Sequence, residues 1–348
     1  MGEAVSTQVG ISRFAYGPLV LLLSNLSVAG QPVLPLPIID AHVDAARVPP
    51  STDPRPINCG SKLQEFAPRD GRAKFNVNQV RSYCDRVLTA PATNTENRAA
   101  VLNYFRRYDI TATVLGSFDE LELWQKQFGT KMIPGITLIR PGTPSVENLR
   151  AAIISGRVKL LAITTQLEGI PFDAPDLERY FQLAEDLDFP VGVHVGLAAP
   201  AAAYVLQPNY LAALSHPLLL EPVLRSHPRL RLYVTCAGWP MGDEMVHLMY
   251  SHPQVYVETG IVDWGIPRKE FYRYLQRLVD AGFANRIMFG SDQMLWPDAI
   301  PIAIGSIQEA PFLTEKQKRD ILYNNAARFF RLERVGSGES GTARAEKH

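Results

Sequence analysis

Short apolar, β-branched runs recur along the chain, separated by longer stretches with a helical period. Eight runs read as strands, starting near Pro37-Ile-Ile-Asp-Ala and continuing at Ile110, Ile133, Val158, Pro190, Leu230, Val255 and Arg286. They are nearly continuous in apolar character rather than alternating, which predicts a parallel sheet buried on both faces. Between them, Leu177, Phe181, Leu183, Ala184 and Leu187 form one helical stripe ended by Pro190, and Phe271, Leu275, Leu278 and Val279 form another ended by Gly282. Thr314 has the side chain and position of a helix N-cap. The proline-containing segment from about 45 to 75, with Cys59 and Gly60, reads as a long insertion after the first strand. Eight strand–helix units in a row predict a (β/α)8 TIM barrel. An open doubly wound sheet is the alternative, weakened because no glycine-rich phosphate-binding turn follows the first strand.

The two ends stand apart from this pattern. An apolar run from Phe14 to Leu26, preceded by Arg13 and followed by Val28-Ala-Gly30, reads as a secretory signal or as a loosely ordered N-terminal arm over residues 1–30. The run is shorter than the ~20 apolar residues of a membrane span. A signal implies secretion or export to the periplasm; without one the protein is cytoplasmic. The barrel is expected over 31–333, and the Gly- and Ser-rich residues 334–348 read as a solvated tail.

Composition excludes several function classes. The 348 residues carry 35 basic and 35 acidic side chains, 46% are apolar and 20% charged. No basic stripe points to nucleic acid, and nothing beyond the N-terminal segment points to a membrane. Three cysteines (Cys59, Cys84 and Cys236) are too few for a disulfide framework. The expected partner is therefore a small-molecule substrate. Barrels of this kind often dimerise, which leaves a homodimer open, and no sequence feature fixes an oligomeric state.

In a barrel, functional residues collect at the C-terminal ends of strands. Those ends carry Asp40-Ala-His42-Val-Asp44, His194, Cys236-Ala-Gly-Trp239-Pro, Glu258 and Ser291-Asp292. His42 and Asp44 lie two apart on a strand, so both face one side. With His194 and Asp292 they form a set of two imidazoles and two carboxylates suited to Zn, Mn or a similar divalent ion. Trp239 is expected at the mouth against substrate, and Glu258 either meets substrate or pairs with a neighbour. Asp40 is expected to cap or pair structurally, Cys59 to be able to line the pocket, and His216, His227, His247 and His252 to be surface or cap residues.

The chain resembles the amidohydrolase-related family of the metal-dependent hydrolase superfamily. The resemblance rests on Ile38-Ile-Asp-Ala-His42, Pro190-Val-Gly-Val-His194-Val-Gly, Ala237-Gly-Trp-Pro, Phe289-Gly-Ser-Asp292 and Asn324-Asn-Ala-Ala-Arg-Phe-Phe, and spans roughly residues 37 to 332. It implies one divalent ion (zinc first, manganese second), held by His42, Asp44, His194 and Asp292, with Asp292 also the proton acceptor. It implies hydrolysis of a small organic substrate or, as the alternative, non-oxidative decarboxylation. Three positions depart from the family pattern. Asp44 stands where a second histidine is usual, Ala162 where a metal-binding glutamate is frequent, and Cys236 where a base histidine precedes Ala-Gly-Trp-Pro. Ala162 removes a bridging ligand and points to one ion rather than two. Cys236 is open to three readings: catalytic base, thiolate ligand or small buried residue. These changes keep a second class in view, a pseudoenzyme or ligand-binding barrel.

Overall fold

In the computed structural model all eight expected runs pair into one parallel sheet. The structure describes residues 36–45, 48–49, 55, 57–62, 65–66, 72, 80–81, 86–138, 143–199, 202–205 and 207–332, with Met1 and Gly2. The expectations for a signal segment and for a tail therefore lie outside the described residues. Leu36–His348 forms one compact unit, and Met1–Pro35 separates as another.

The strands are β1 (Ile38–Asp44), β2 (Ile110–Gly116), β3 (Met132–Leu138), β4 (Leu160–Ile163), β5 (Val191–His194), β6 (Leu232–Thr235), β7 (Val255–Glu258) and β8 (Ile287–Met288). They follow chain order around the sheet, each parallel to the next. Beyond β8 the chain returns to β1. The Ala41 amide donates to Phe289 O at 2.9 Å, and the Asp292 amide donates to His42 O at 2.7 Å, which draws the sheet into a barrel. An open doubly wound sheet is thereby excluded.

The apolar residues divide into two layers. Ile39, Ala41, Leu160, Ala162, Tyr233 and Met288 fill the barrel interior, and Phe329 from the closing helix plugs one end against Tyr233, edge to face at 5.4 Å. A larger cluster packs the outer faces of the strands against the helices. The helices at Pro175–Asp186 and Arg268–Asp280 bury the stripes that the sequence predicts, through Leu177, Phe181, Leu183 and Ala184 in the first and Phe271, Leu275 and Leu278 in the second. Thr314 caps its helix reciprocally with Gln317.

The Asn-Asn-Ala-Ala-Arg segment has a structural task. Asn325 is fully buried and its Nδ2 donates to Ala284 O at 2.9 Å and Ile287 O at 2.6 Å, holding the start of β8. The first insertion is longer than its prolines indicate. It contains two antiparallel pairs, Ile57–Cys59 with Val87–Thr89 and Glu65–Phe66 with Val80–Arg81, before the helix capped by Thr93. Cys59 on the first pair is disulfide-bonded, so the low cysteine count did not exclude a bridge. It does not line the main cavity; its neighbour Asn58 does. His227 is a cap rather than a surface residue: it ends the helix Glu221–Ser226 and is 1% exposed, with Nδ1 3.3 Å from Glu185 and Nε2 3.2 Å from Glu178. Its partners come from the helix before β5, so only the tertiary fold buries it. No described helix is long and apolar enough to cross a membrane.

Tyr233 occupies the barrel interior because β5 offers it a residue without a side chain. A Cβ at Gly192 would lie 2.7 Å from Tyr233 Cζ and Oη. Gly192→Ala is expected to cost about 1–3 kcal/mol of stability by overpacking, and much less in a Tyr233→Leu background. Urea midpoints of the two single variants and the double variant measure this, and equal losses in both backgrounds would contradict it.

Candidate metal centre

A register shift in β1, between Asp40 and Val43, changes which side chains face inward. Ile39 and Ala41 point into the barrel interior, so strict alternation would turn His42 away. The bulge restores the inward aim, and His42 and Asp44 both line a cavity of about 1580 Å³ at the C-terminal ends of the strands. Asp40 secures the bend: its Oδ1 accepts the His42 amide at 3.1 Å and the Ser291 amide at 2.8 Å. Its expected structural role matches this geometry.

His42, Asp44 and Asp292 each offer a ligand atom, and these atoms all lie within 4.8 Å of one another. His42 Nε2 is 3.9 Å from Asp44 Oδ1 and 3.8 Å from Asp292 Oδ1. Behind it, His42 Nδ1 is 3.0 Å from Glu258 Oε1. A carboxylate only accepts, so Nδ1 carries a proton and Nε2 is the atom turned to the two aspartates. Glu258 is completely buried; Oε1 also accepts the Cys236 amide at 2.8 Å and Oε2 the Gly260 amide at 2.6 Å. A Cβ at Gly290 would collide with Glu258 Oε2, so that position leaves the carboxylate its space. Glu258 pairs with its neighbours, the second of its two expected roles: its oxygens are consumed by protein donors, and it is not among the described residues that line the cavity.

The charges of this group are poorly compensated by the protein itself. Burial, opposed by His42 and reinforced by Asp44 and Glu258, raises the Asp292 carboxyl to about 7. Burial also raises Asp44, though His42 draws it back. Burial alone would lower His42, but the charges of Asp292 and Glu258 outweigh it and raise the imidazole well above its ordinary value. Two carboxylates and one imidazole nitrogen, gathered in a recess, form a donor set in which a divalent cation relieves the repulsion. The residues present fit a metal ion.

His194 and Cys236 form a separate pair on the same floor. His194 Nε2 is 3.3 Å from Leu197 O, so that nitrogen carries the proton, and Nδ1 accepts from the Thr235 hydroxyl at 3.2 Å. Burial, then the nearby His42 charge, lowers His194 to about 4, so it is neutral at pH 7. His194 lies outside the triad, and its unprotonated nitrogen, Nδ1, is engaged by Thr235 and Cys236. Cys236 Sγ is 3.6 Å from His194 Nδ1 and 4.0 Å from Asp292 Oδ2. Burial, with Asp292 and Glu258 nearby, pushes this thiol well above its usual range. A thiol in that state donates a proton rather than taking one up, which argues against the role of base. Trp239 lines the cavity as expected, as does Ala162, whose small side chain leaves the fourth strand end open.

Sequence reasoning anticipated that Glu258 could pair with a neighbour but not that the partner is the His42 ring. It missed the backbone strain: Cys236, Ala237, Ile261, Asp292 and Met294 all have positive φ, between 41° and 57°. Such conformations cost ~1–3 kcal/mol each and gather at functional sites. Here they aim the loops after β6, β7 and β8.

The Asp40 carboxyl is raised by burial to about 7, against hydrogen bonds from Ser291 and His42 that lower it. An acid whose folded value is raised stabilises the fold below its unfolded value of 3.8 and loses that contribution as pH climbs to about 7. The shift corresponds to about 4 kcal/mol at full burial. Asp40→Asn removes this titration. In chelator-treated protein, the stability of Asp40→Asn relative to wild type should therefore rise by a few kcal/mol between pH 4 and pH 7. Parallel urea-midpoint curves for the two proteins would contradict the assignment.

Comparison with known proteins places this geometry in a family. The model described as "Amidohydrolase" matches residues 39–332. A search of curated proteins gives no match. Among solved structures, one described as an amidohydrolase II superposes with a TM-score of 0.55 at 16% identity, covering 84% of this chain and 99% of the other. A probable 2-pyrone-4,6-dicarboxylic acid hydrolase from Acinetobacter baumannii gives 0.53 at 12% identity, with 85% and 99% covered. A 2,6-dihydroxybenzoate decarboxylase gives 0.50 at 14% identity, with 66% and 87% covered. At these identities the likeness is one of fold, and the family match carries the assignment: the chain belongs to the amidohydrolase family, on a (β/α)8 barrel.

Proposed function

We propose that this protein is a mononuclear metal-dependent hydrolase acting on a small organic carbonyl compound. The observation that carries the reading is the convergence of His42, Asp44 and Asp292 within 4.8 Å on the floor of a large cavity. Those three residues would hold one divalent ion, Zn or Mn, which when bound supplies Lewis acidity for water and for a carbonyl. Glu258 keeps the His42 ring turned so that Nε2 faces the ion site. Asp292 takes the proton released by the attacking water and returns it to the leaving group. Its Oδ1 faces His42, and its Oδ2 faces the Cys236 thiol, which steadies the carboxylate by donating to it. His194 stays neutral and presents Nδ1 to Thr235 and Cys236.

Non-oxidative decarboxylation is the second reading. The neutral thiol of Cys236 favours it, because a reaction that protonates a carbanion needs no base at that position. Asp292 would then deliver a proton rather than accept one.

Elemental analysis and a screen of esters, lactones, amides and aromatic acids test both readings. About one divalent ion per chain is expected, lost in His42→Ala and Asp292→Asn, with hydrolysis reduced at least about 100-fold. Release of carbon dioxide from an aromatic acid, abolished in Asp292→Asn, would replace hydrolysis by the second reading. Failure to bind Zn or Mn on reconstitution would overturn both and leave a ligand-binding barrel.

A further inference from the structure

We infer that the substrate is bulky, largely apolar and uncharged, an ester, lactone or amide with an aromatic or long aliphatic group, rather than a carboxylate. This rests on the hydrolase reading and specifies the substrate of that same site. Three observations carry it.

The first is size. The cavity of about 1580 Å³ exceeds the roughly 300–1,000 Å³ of ordinary small-molecule pockets, while the triad occupies only its floor. The second is the wall. The segment after β5 lays Leu197, Tyr204 and Leu211 along the cavity, and each is exposed, at 44%, 69% and 55%. The loops after β6, β7 and β8 add Trp239, Ile266 and Trp296. Large apolar side chains open to a cavity gain about 25 cal/mol for each Å² that a ligand covers.

The third is charge. Among the described lining residues, the ionisable groups other than Cys236 and the tyrosines are imidazoles and carboxylates: Asp44 and Asp292 on the floor, Asp119 and Glu120 at the start of the helix Phe118–Phe128. Away from the ion site itself, Asp119 and Glu120 oppose an anionic group along the wall. An uncharged carbonyl compound meets no such opposition. A decarboxylase must seat a carboxylate, so this lining also separates the two readings above.

Three ligands sharing one ring test the inference by calorimetry on the zinc-loaded protein: neutral 2-naphthamide, anionic 2-naphthoate and cationic 2-naphthylmethylammonium. The amide is expected to bind at least about tenfold more tightly than the carboxylate. Leu197→Glu and Leu211→Glu should each weaken the amide at least about fivefold, with metal content and circular dichroism unchanged. Equal or tighter binding of the carboxylate or the ammonium, or no loss in either variant, would overturn it. The two readings fail separately. Loss of the metal with the amide preference intact removes the hydrolase and keeps the apolar site. A bound metal with the carboxylate preferred keeps the metal centre and removes this substrate class.

Discussion

Glu258 brings a carboxylate to the end of β7 with no exposure to water and receives N–H groups from three directions: the His42 ring, the Cys236 amide and the Gly260 amide. A buried charge of this kind persists only when its oxygens are filled by donors. Filling them joins β1, β6 and β7 at one point. The His42 ring is turned, the chain after β6 is held in its left-handed bend, and Gly290 on the returning chain must lack a side chain. The rest of the floor is arranged around this anchored carboxylate.

Around it the protein collects more acid than it neutralises. Asp40 and Asp263 are pushed upward by burial, and both carry hydrogen bonds that leave one oxygen without a partner. Burial thus favours the protonated form of each. Asp44 and Asp292 differ because they border the cavity and face one imidazole nitrogen. A cation from solution can reach them, and the donor atoms are already gathered. The departures from the family pattern meet in this cavity: Asp44 offers oxygen in place of nitrogen, Ala162 leaves a strand end open, and Cys236 brings a thiol that burial pushes above its usual range.

The helices and strands were legible because their causes are local. A buried parallel strand must be apolar throughout, and a barrel helix must bury one stripe, so Val191–His194 and Pro175–Asp186 announce themselves by pattern. His42, Asp44 and Asp292 were legible by position, since strand ends of a barrel converge whatever the loops do. His227 was legible as a cap residue, but its burial was not, because the carboxylates that surround it, Glu178 and Glu185, are more than forty residues away in sequence.

By itself, then, the sequence determined the barrel, its strand order and the residue types at its mouth, all of which follow from hydrophobic periodicity and chain connectivity. The tertiary structure alone decided how those residues are used. The bulge between Asp40 and Val43 aims His42 inward although Ala41 before it also points in. Of the two roles open to Glu258, the fold selected pairing, with the His42 ring as partner, and His194 was set apart from the triad by Leu197 and Thr235. Register shifts, ring orientation and hydrogen-bond competition depend on atoms brought together from distant strands, and no local pattern in the chain encodes them.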